Sequence, residues 1–148
     1  MPDSNKDPVR ANSFSLKLQG GVEAFFREAG GFGSENEVIE YKQQGPSGKV
    51  VYTKQPGNLK WQNISLKRGI TDDMKLWDWR KKVVDGQIQQ ARMDGSIMGY
   101  DEKGTLQVQY DFINGWPCKW TASDMNADGN EVIVEEIEIA HEGLKRTK

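Results

Sequence analysis

Residues 124–135, DMNADGNEVIVE, match in residue type and spacing the twelve-residue loop that wraps a calcium ion in an EF-hand. Asp124, Asn126 and Asp128 take the first, third and fifth positions, Gly129 the sixth and Glu135 the twelfth, where a bidentate carboxylate would close the oxygen shell. Such a loop works only if one helix enters before it and another leaves after it. Neither flank supplies a helix. GWPCKWTAS carries Gly115 and Pro117 before the loop, and Val132, Ile133, Val134, Ile137 and Ile139 read as strand after it. In a strand, Glu135 stands about 20 Å from Gly129 at about 3.3 Å per residue, out of reach of a shared ion. The residues favour an Asx-rich turn, with Asp and Asn bonding their own backbone and Gly129 supplying conformational freedom; a calcium-binding module on 124–135 is the alternative.

Other chemistry finds fewer residues to work with. The chain has one histidine, His141, and one cysteine, Cys118. No nucleophile motif surrounds either, and no second histidine follows HisGluGly at 141–143 to make a zinc helix. The run GlyGlyPheGly at 30–33 lacks the Lys-Ser/Thr of a phosphate loop and is followed by strand-like residues. Five tryptophans, Trp61, Trp77, Trp79, Trp116 and Trp120, lie among apolar neighbours and suit core or interface anchoring better than ligand stacking. No catalytic residue, cofactor or metal ligand is therefore expected.

The 148 residues suit one domain, with a formal net charge of −2 and mean hydropathy of −0.75. That charge offers no basic footprint for nucleic acid; Arg80, Lys81 and Lys82 read as a solvated helix end. The lone cysteine suits a reducing compartment, and no secretory signal or transmembrane stretch is evident, so synthesis in the cytoplasm is expected.

The elements that would position these residues are mostly strands. Residues 1–12, polar and containing Pro2 and Pro8, read as a flexible arm before a domain spanning 13–148. SFSLKLQ at 13–19 alternates, with Phe14, Leu16 and Leu18 inward and Ser13, Ser15 and Lys17 outward. VEAFFREAG at 22–30 reads as a second strand, with a short helix as the alternative on propensity, EVIEYK at 37–42 as a third, and WQNISLKRG at 61–69 as another, with Ile64 and Leu66 inward. Between them, 43–60 carries Gly-Pro, Ser-Gly and Pro-Gly punctuation and is too long for an idle loop, so it reads as a contact arm. One helix is predicted over 71–84, capped by Thr71 or Asp72, with Met74, Trp77 and Val84 at helical spacing and Asp85-Gly86 ending it. A hairpin follows: a strand to about Tyr100, a turn at 101–104, and a strand whose Leu106, Val108, Tyr110 and Phe112 oppose Gln107, Gln109 and Asp111. The last strand is EVIVEEIEIAH, where Val132 and Val134 share a face with Glu136 and Glu138 while Ile137 and Ile139 take the other, a pattern suggesting a change of packing environment or a bulge. Six or seven amphipathic strands with one helix imply a mainly β fold, a small β-barrel or sandwich-like barrel, whose edges would pair between subunits to close a larger barrel.

Several of these segments together resemble the tail-tube family of contractile phages and injection systems, the inner-tube proteins akin to Hcp of type VI secretion. The residues that carry the resemblance are VIEYKQ at 38–43, ProGlyAsnLeu at 56–59 leading into NISLKRGI at 63–70, LWDW at 76–79, NGWPCKW at 114–120, and ADGNEVIVEEIEIAHEGL at 127–144. The resemblance implies a structural, non-enzymatic subunit whose hexameric rings stack into a tube inside a contractile sheath. Its partners would be further copies of itself, sheath, baseplate or spike, and tube-terminating proteins, with protein or DNA cargo in the lumen of a phage tail or injection-system particle. On that footing the lumen-facing candidates are Arg92, Asp94, Gln107, Gln109 and Asp111, and the inter-ring candidates are Pro46, Val50, Val51, Tyr52 and Pro56.

Overall fold

The computed structural model describes residues 8–129 and 131–148, so most of the expected amino-terminal arm lies outside the described residues. Within them, Asn12 is already tied to the domain, donating its backbone N–H to Tyr100 O.

The described residues form ten strands and two helices: β1 Ser13–Leu18, β2 Glu23–Phe26, β3 Glu28–Gly30, β4 Ser34–Gln44, β5 Val50–Trp61, β6 Ile64–Gly69, α1 Lys75–Val84, α2 Ile88–Ala91, β7 Met93–Tyr100, β8 Leu106–Ala122, β9 Val134–Ala140 and β10 Gly143–Arg146. All pairings are antiparallel. The main sheet runs β2-β1-β7-β8-β9-β6-β3, with β10 beside β8. Its two ends are successive pieces of one chain. β2 pairs with β1 and β3 with β6, and Arg27 between them donates its N–H to Lys67 O, so the sheet curls round until its ends meet. The single strand expected over 22–30 is thus two short ones, divided where the chain passes from one neighbour to the other.

Strict alternation fills the interior. Leu16 and Leu18 of β1, Ala24 and Phe26 of β2, Ile64 and Leu66 of β6, Ile97 of β7, Phe112 of β8, and Ile137 and Ile139 of β9 are all buried. Phe112 lies opposite Gly95, where an added Cβ would meet its ring at 2.6 Å, so the glycine gives the aromatic ring room. Ser15 departs from its expected solvent exposure. It occupies the outer face yet is fully buried, with Phe25 and Met98 opposite it on either side and its hydroxyl bonded to Tyr100 Oη at 3.1 Å.

One polar pair shares this interior. Arg68 and Glu135 are register partners across β6 and β9, both buried, and Arg68 Nε donates to Glu135 Oε1. Trp120 Nε1 donates to Glu135 Oε2 at 3.2 Å, and the guanidinium lies 5.6 Å from the centroid of the Phe26 ring. Four strands thereby meet on one ion pair. Arg68 Nη2 is buried without a hydrogen-bond partner among the described residues.

The predicted helix forms, but with another face inward. Leu76 and Trp79 are buried, Trp79 donating from Nε1 to Ala91 O at 2.7 Å, whereas Met74, Trp77 and Val84 are 55%, 42% and 68% exposed. Asp73 Oδ1 accepts from Lys75 N, and Thr71 Oγ1 from Asp73 N, in place of a cap by Thr71 or Asp72 on the helix itself. The basic cluster is not wholly solvated either: half-buried Arg80 donates to Pro117 O at 2.8 Å, securing α1 against β8. The short helix α2 carries no caps or periodicity that its four residues could have displayed.

A buried ion pair tolerates loss of both partners better than loss of one. Glu135→Gln is expected to lower unfolding free energy by about 3 kcal/mol or more, and the double variant Arg68→Met/Glu135→Leu by much less, as read by chemical denaturation. Equal losses in the two variants would show that the pair is not what holds these strands.

Candidate functional site: an uncovered hairpin and a polar sheet face

The loop at 124–133 forms the Asx turn its sequence favours: Asn126 Oδ1 accepts from Asp128 N at 3.0 Å, and Gly129 N donates to Asn126 O at 3.1 Å. Regular strand begins at Val134 rather than Glu131. Glu135, the would-be twelfth ligand, points into the barrel and is engaged by Arg68 and Trp120. Among the described residues no group of three or more His, Cys, Asp or Glu could hold a metal. The unusual alternation of the last strand also resolves. Val132 lies outside β9, whose inward face is Glu135, Ile137 and Ile139; the register irregularity falls on β8 between Pro117 and Lys119.

Cys118 and His141 do not meet. Cys118 Sγ lies 3.4 Å from Glu138 O and 3.7 Å from Asn63 Nδ2, while His141 Nε2 lies 2.9 Å from Gln62 O. Burial pushes the Cys118 thiol up, and the nearby Glu138 carboxylate pushes it further, which keeps the sulfur protonated and a poor nucleophile.

Two features remain that sequence had marked for function. The first is the segment 43–60, which is not a loop. Its larger part is β5, which pairs residue by residue with β4 from Ser34↔Trp61 to Gln44↔Val50, with a bulge between Asn36 and Val38. The two strands form a separate two-stranded sheet. Residues opposite each other share a face, so Val38, Val50, Tyr52 and Leu59 project from one side and Ile39, Tyr41 and Val51 from the other. All are exposed, Val38 by 67% and Tyr52 by 60%. Pro46, Val50, Val51, Tyr52 and Pro56 thus lie on one exposed projection, Pro46 in its turn and Pro56 opposite Val38.

The second feature is the polar face of the β7–β8 hairpin. Gln107, Gln109 and Asp111 alternate away from the core and are half-buried. Asp111 Oδ1 accepts from Ser96 Oγ at 2.6 Å and from Gln109 Nε2 at 2.9 Å, and Gln107 Nε2 donates to Asp101 Oδ2 at 3.1 Å. Burial raises the Asp111 carboxyl, but hydrogen bonds from Gln109, Ser96 and Thr147 and the charge of Lys145 outweigh it, leaving it below the usual range. Asp94 is exposed at the margin, its carboxylate accepting from the N–H of Asn114, whose φ of 48° marks the kink there. Arg92 does not join the set; it caps α2 before β7 begins.

The described residues thus form a barrel with a separate apolar hairpin left bare beside it. The chain belongs to the family of T4-like virus tail tube protein gp19, whose model matches residues 10–145. Its role is accordingly that of a structural inner-tube protein. The fold is shared with a chain of the extended-state sheath-tube complex of the extracellular contractile injection system PVC, at 22% identity and a TM-score of 0.77, covering 99% of this chain and 98% of that one. A chain from the tube-terminating cap of the anti-feeding prophage AFP matches at 23% identity and a TM-score of 0.74, covering 100% and 99%. Hcp1 from Salmonella typhimurium is more distant, at 16% identity and a TM-score of 0.61, covering 93% and 86%. No curated protein sequence matches the chain.

The direction of the Asp111 shift sets a pH dependence. A carboxyl held below its unfolded value contributes stability above about pH 4, which is lost as pH falls through the folded value. Asp111→Asn should flatten that acid limb, measured as melting temperature between about pH 2 and 6; an unchanged limb would remove Asp111 as its source.

Proposed function

We propose that the chain assembles as hexameric rings that stack into the inner tube of a contractile tail or injection-system particle, enclosed by a sheath and bounded by baseplate or spike and tube-terminating proteins. The tube carries protein or DNA cargo through its bore when the sheath contracts. The observation that bears most weight is the β4–β5 hairpin. Two isolated strands are marginal in water, and these display large apolar residues on both faces. Such a projection is completed by other copies of the chain. Pro46, Val50, Val51, Tyr52 and Pro56 are its inter-ring contacts, and the amino-terminal residues ahead of Asn12, which is itself bonded to Tyr100 O, are a further arm for neighbouring subunits.

The bore is lined by the polar β7–β8 face, with Gln107, Gln109 and Asp111 at its centre, Asp94 at its margin and Arg92 beside it. Side chains already bonded to one another present little apolar surface for cargo to adhere to. The reading involves no catalysis and no bound cofactor; a tube does its work by geometry. The resemblance of the fold to chains of sheath-tube and cap assemblies supports it, as does membership of the tail-tube family.

Negative-stain microscopy of concentrated protein should show six-fold rings and stacked tubes, and Val51→Glu/Tyr52→Glu should leave rings while abolishing stacks. Particles that remain monomeric at every concentration, with baseplate components added, would contradict the reading.

A further inference from the structure

The hairpin and the acidic turn that resembles a calcium loop lie at opposite ends of the barrel, and their surfaces are complementary. The legs of the hairpin join the barrel at the Ile64–Ala140 end: β3 reaches Gly30 opposite Ser65, and β5 passes through Gln62 and Asn63 into Ile64. The β6–β9 ladder then runs from Ile64↔Ile139 to Gly69↔Val134, a span of about 20 Å. At its far end two connections emerge, 70–74 towards α1 and 123–133 between β8 and β9, held together by Ile70 N donating to Ile133 O at 2.8 Å.

That far end is both apolar and acidic. Ile70, Met74, Trp77, Met125 and Val132 are exposed there. The two connections contain Asp72, Asp73, Asp124, Asp128 and Glu131 and no Lys or Arg; the cations beside them are Lys75, which opens α1, and Arg27 and Arg68, which share a groove with Thr71 and Asp73, Arg68 being already engaged by Glu135. Described residues between Asp124 and Ile133 line a half-open hollow of about 540 Å³, Met125 and Ile133 among them with Asp124 and Glu131.

The distal hairpin is the converse. Residues 41–54 contain Lys42, Lys49 and Lys54 and no Asp or Glu. Gln44 lies opposite Val50, Lys42 opposite Tyr52 and Glu40 opposite Lys54, so one face carries, from the tip inward, Val50, then Tyr52 beside Lys42, then Lys54 beside Glu40. Eleven residues of β4 give the projection a reach of about 35 Å.

We propose that this face of one copy seats in the acid-rimmed hollow of the next, Val50 and Tyr52 on Met125 and Ile133, Lys42 and Lys54 against Asp124 and Glu131. Knob and socket sit on opposite ends of the same chain, so the contact is head-to-tail and repeats without closing on itself. The inference rests on the tube reading and names the receiving surface that reading lacks. It also gives the acidic residues of 124–131 a use that no metal supplies: they complement lysines. Both surfaces are exposed and their charge pairs are screened by salt, so the contact weakens as ionic strength rises.

Two single-cysteine chains, each in a Cys118→Ser background, test the contact directly. Tyr52→Cys mixed with Met125→Cys should crosslink with a short bismaleimide into a heterodimer, while neither variant alone should do so. In parallel, Lys42→Glu/Lys54→Glu and Asp124→Lys/Glu131→Lys should each lose tubes yet keep wild-type melting temperature, and the chain bearing all four changes should recover them. Wild-type tubes with no mixed crosslink, or with charge-reversed chains that still stack, would overturn the proposed socket and leave the tube reading standing. A mixed crosslink without tubes would support the contact and count against the tube. Absence of both would sink the two together.

Discussion

The structure is organised around the ion pair of Arg68 and Glu135 inside the barrel. Two charged groups removed from water are tolerable only when their attraction and hydrogen bonds offset desolvation, and here β6, β9, β8 and β2 each bring a partner: Arg68, Glu135, the Trp120 indole and the Phe26 ring. Packing already bars a one-residue slip of β9, which would turn Ile137 and Ile139 to solvent; the pair bars the two-residue slip that keeps them inward, since Arg68 would then face an isoleucine instead of Glu135. It also sits where the barrel closes, one residue beyond the Lys67 carbonyl that receives Arg27.

Closure of that barrel has a consequence for everything outside it. Once β2 and β3 have bridged the two ends of the sheet, β4 and β5 pair only with each other in a sheet of their own. The barrel completes its core with residues from nearly every strand, whereas the hairpin completes none of its own. A chain with one finished and one unfinished part is built to be joined to others, and that division supports the tube reading without any bound ligand.

Much of this was legible in residue pattern. Period-two alternation located β1, β6 and the β7–β8 hairpin, because one face of each meets the core and the other meets solvent. The flanks of the calcium-like loop are strands, as their residues imply, and Glu135 turns into the barrel. What failed did so for identifiable reasons. β4 and β5 have no buried face, so alternation carries no signal there, and Pro56 and Gly57 looked like loop punctuation although they accompany a bulge in a long hairpin. β8 runs on through Gly115 and Pro117 to Ala122 because its partner changes midway, from β7 to β9. The helix was placed well but turned wrongly: Met74, Trp77 and Val84 suggested the inner stripe, while Leu76 and Trp79 fill it. Helical spacing alone does not say which apolar stripe of a helix is the buried one. Ser15 and Arg80 show the reverse, polar side chains withdrawn from solvent by contacts far away in sequence.

The central claim is that the β4–β5 hairpin is stabilised between chains and the barrel within one. Hydrogen–deuterium exchange, measured on dilute monomer and on the concentrated assembly, separates the two. Amides of β1, β6, β8 and β9 should be protected in both states, and those of β4 and β5 only in the assembly. A hairpin protected in the dilute monomer as strongly as the barrel, or one left unprotected in the assembly, would contradict the account.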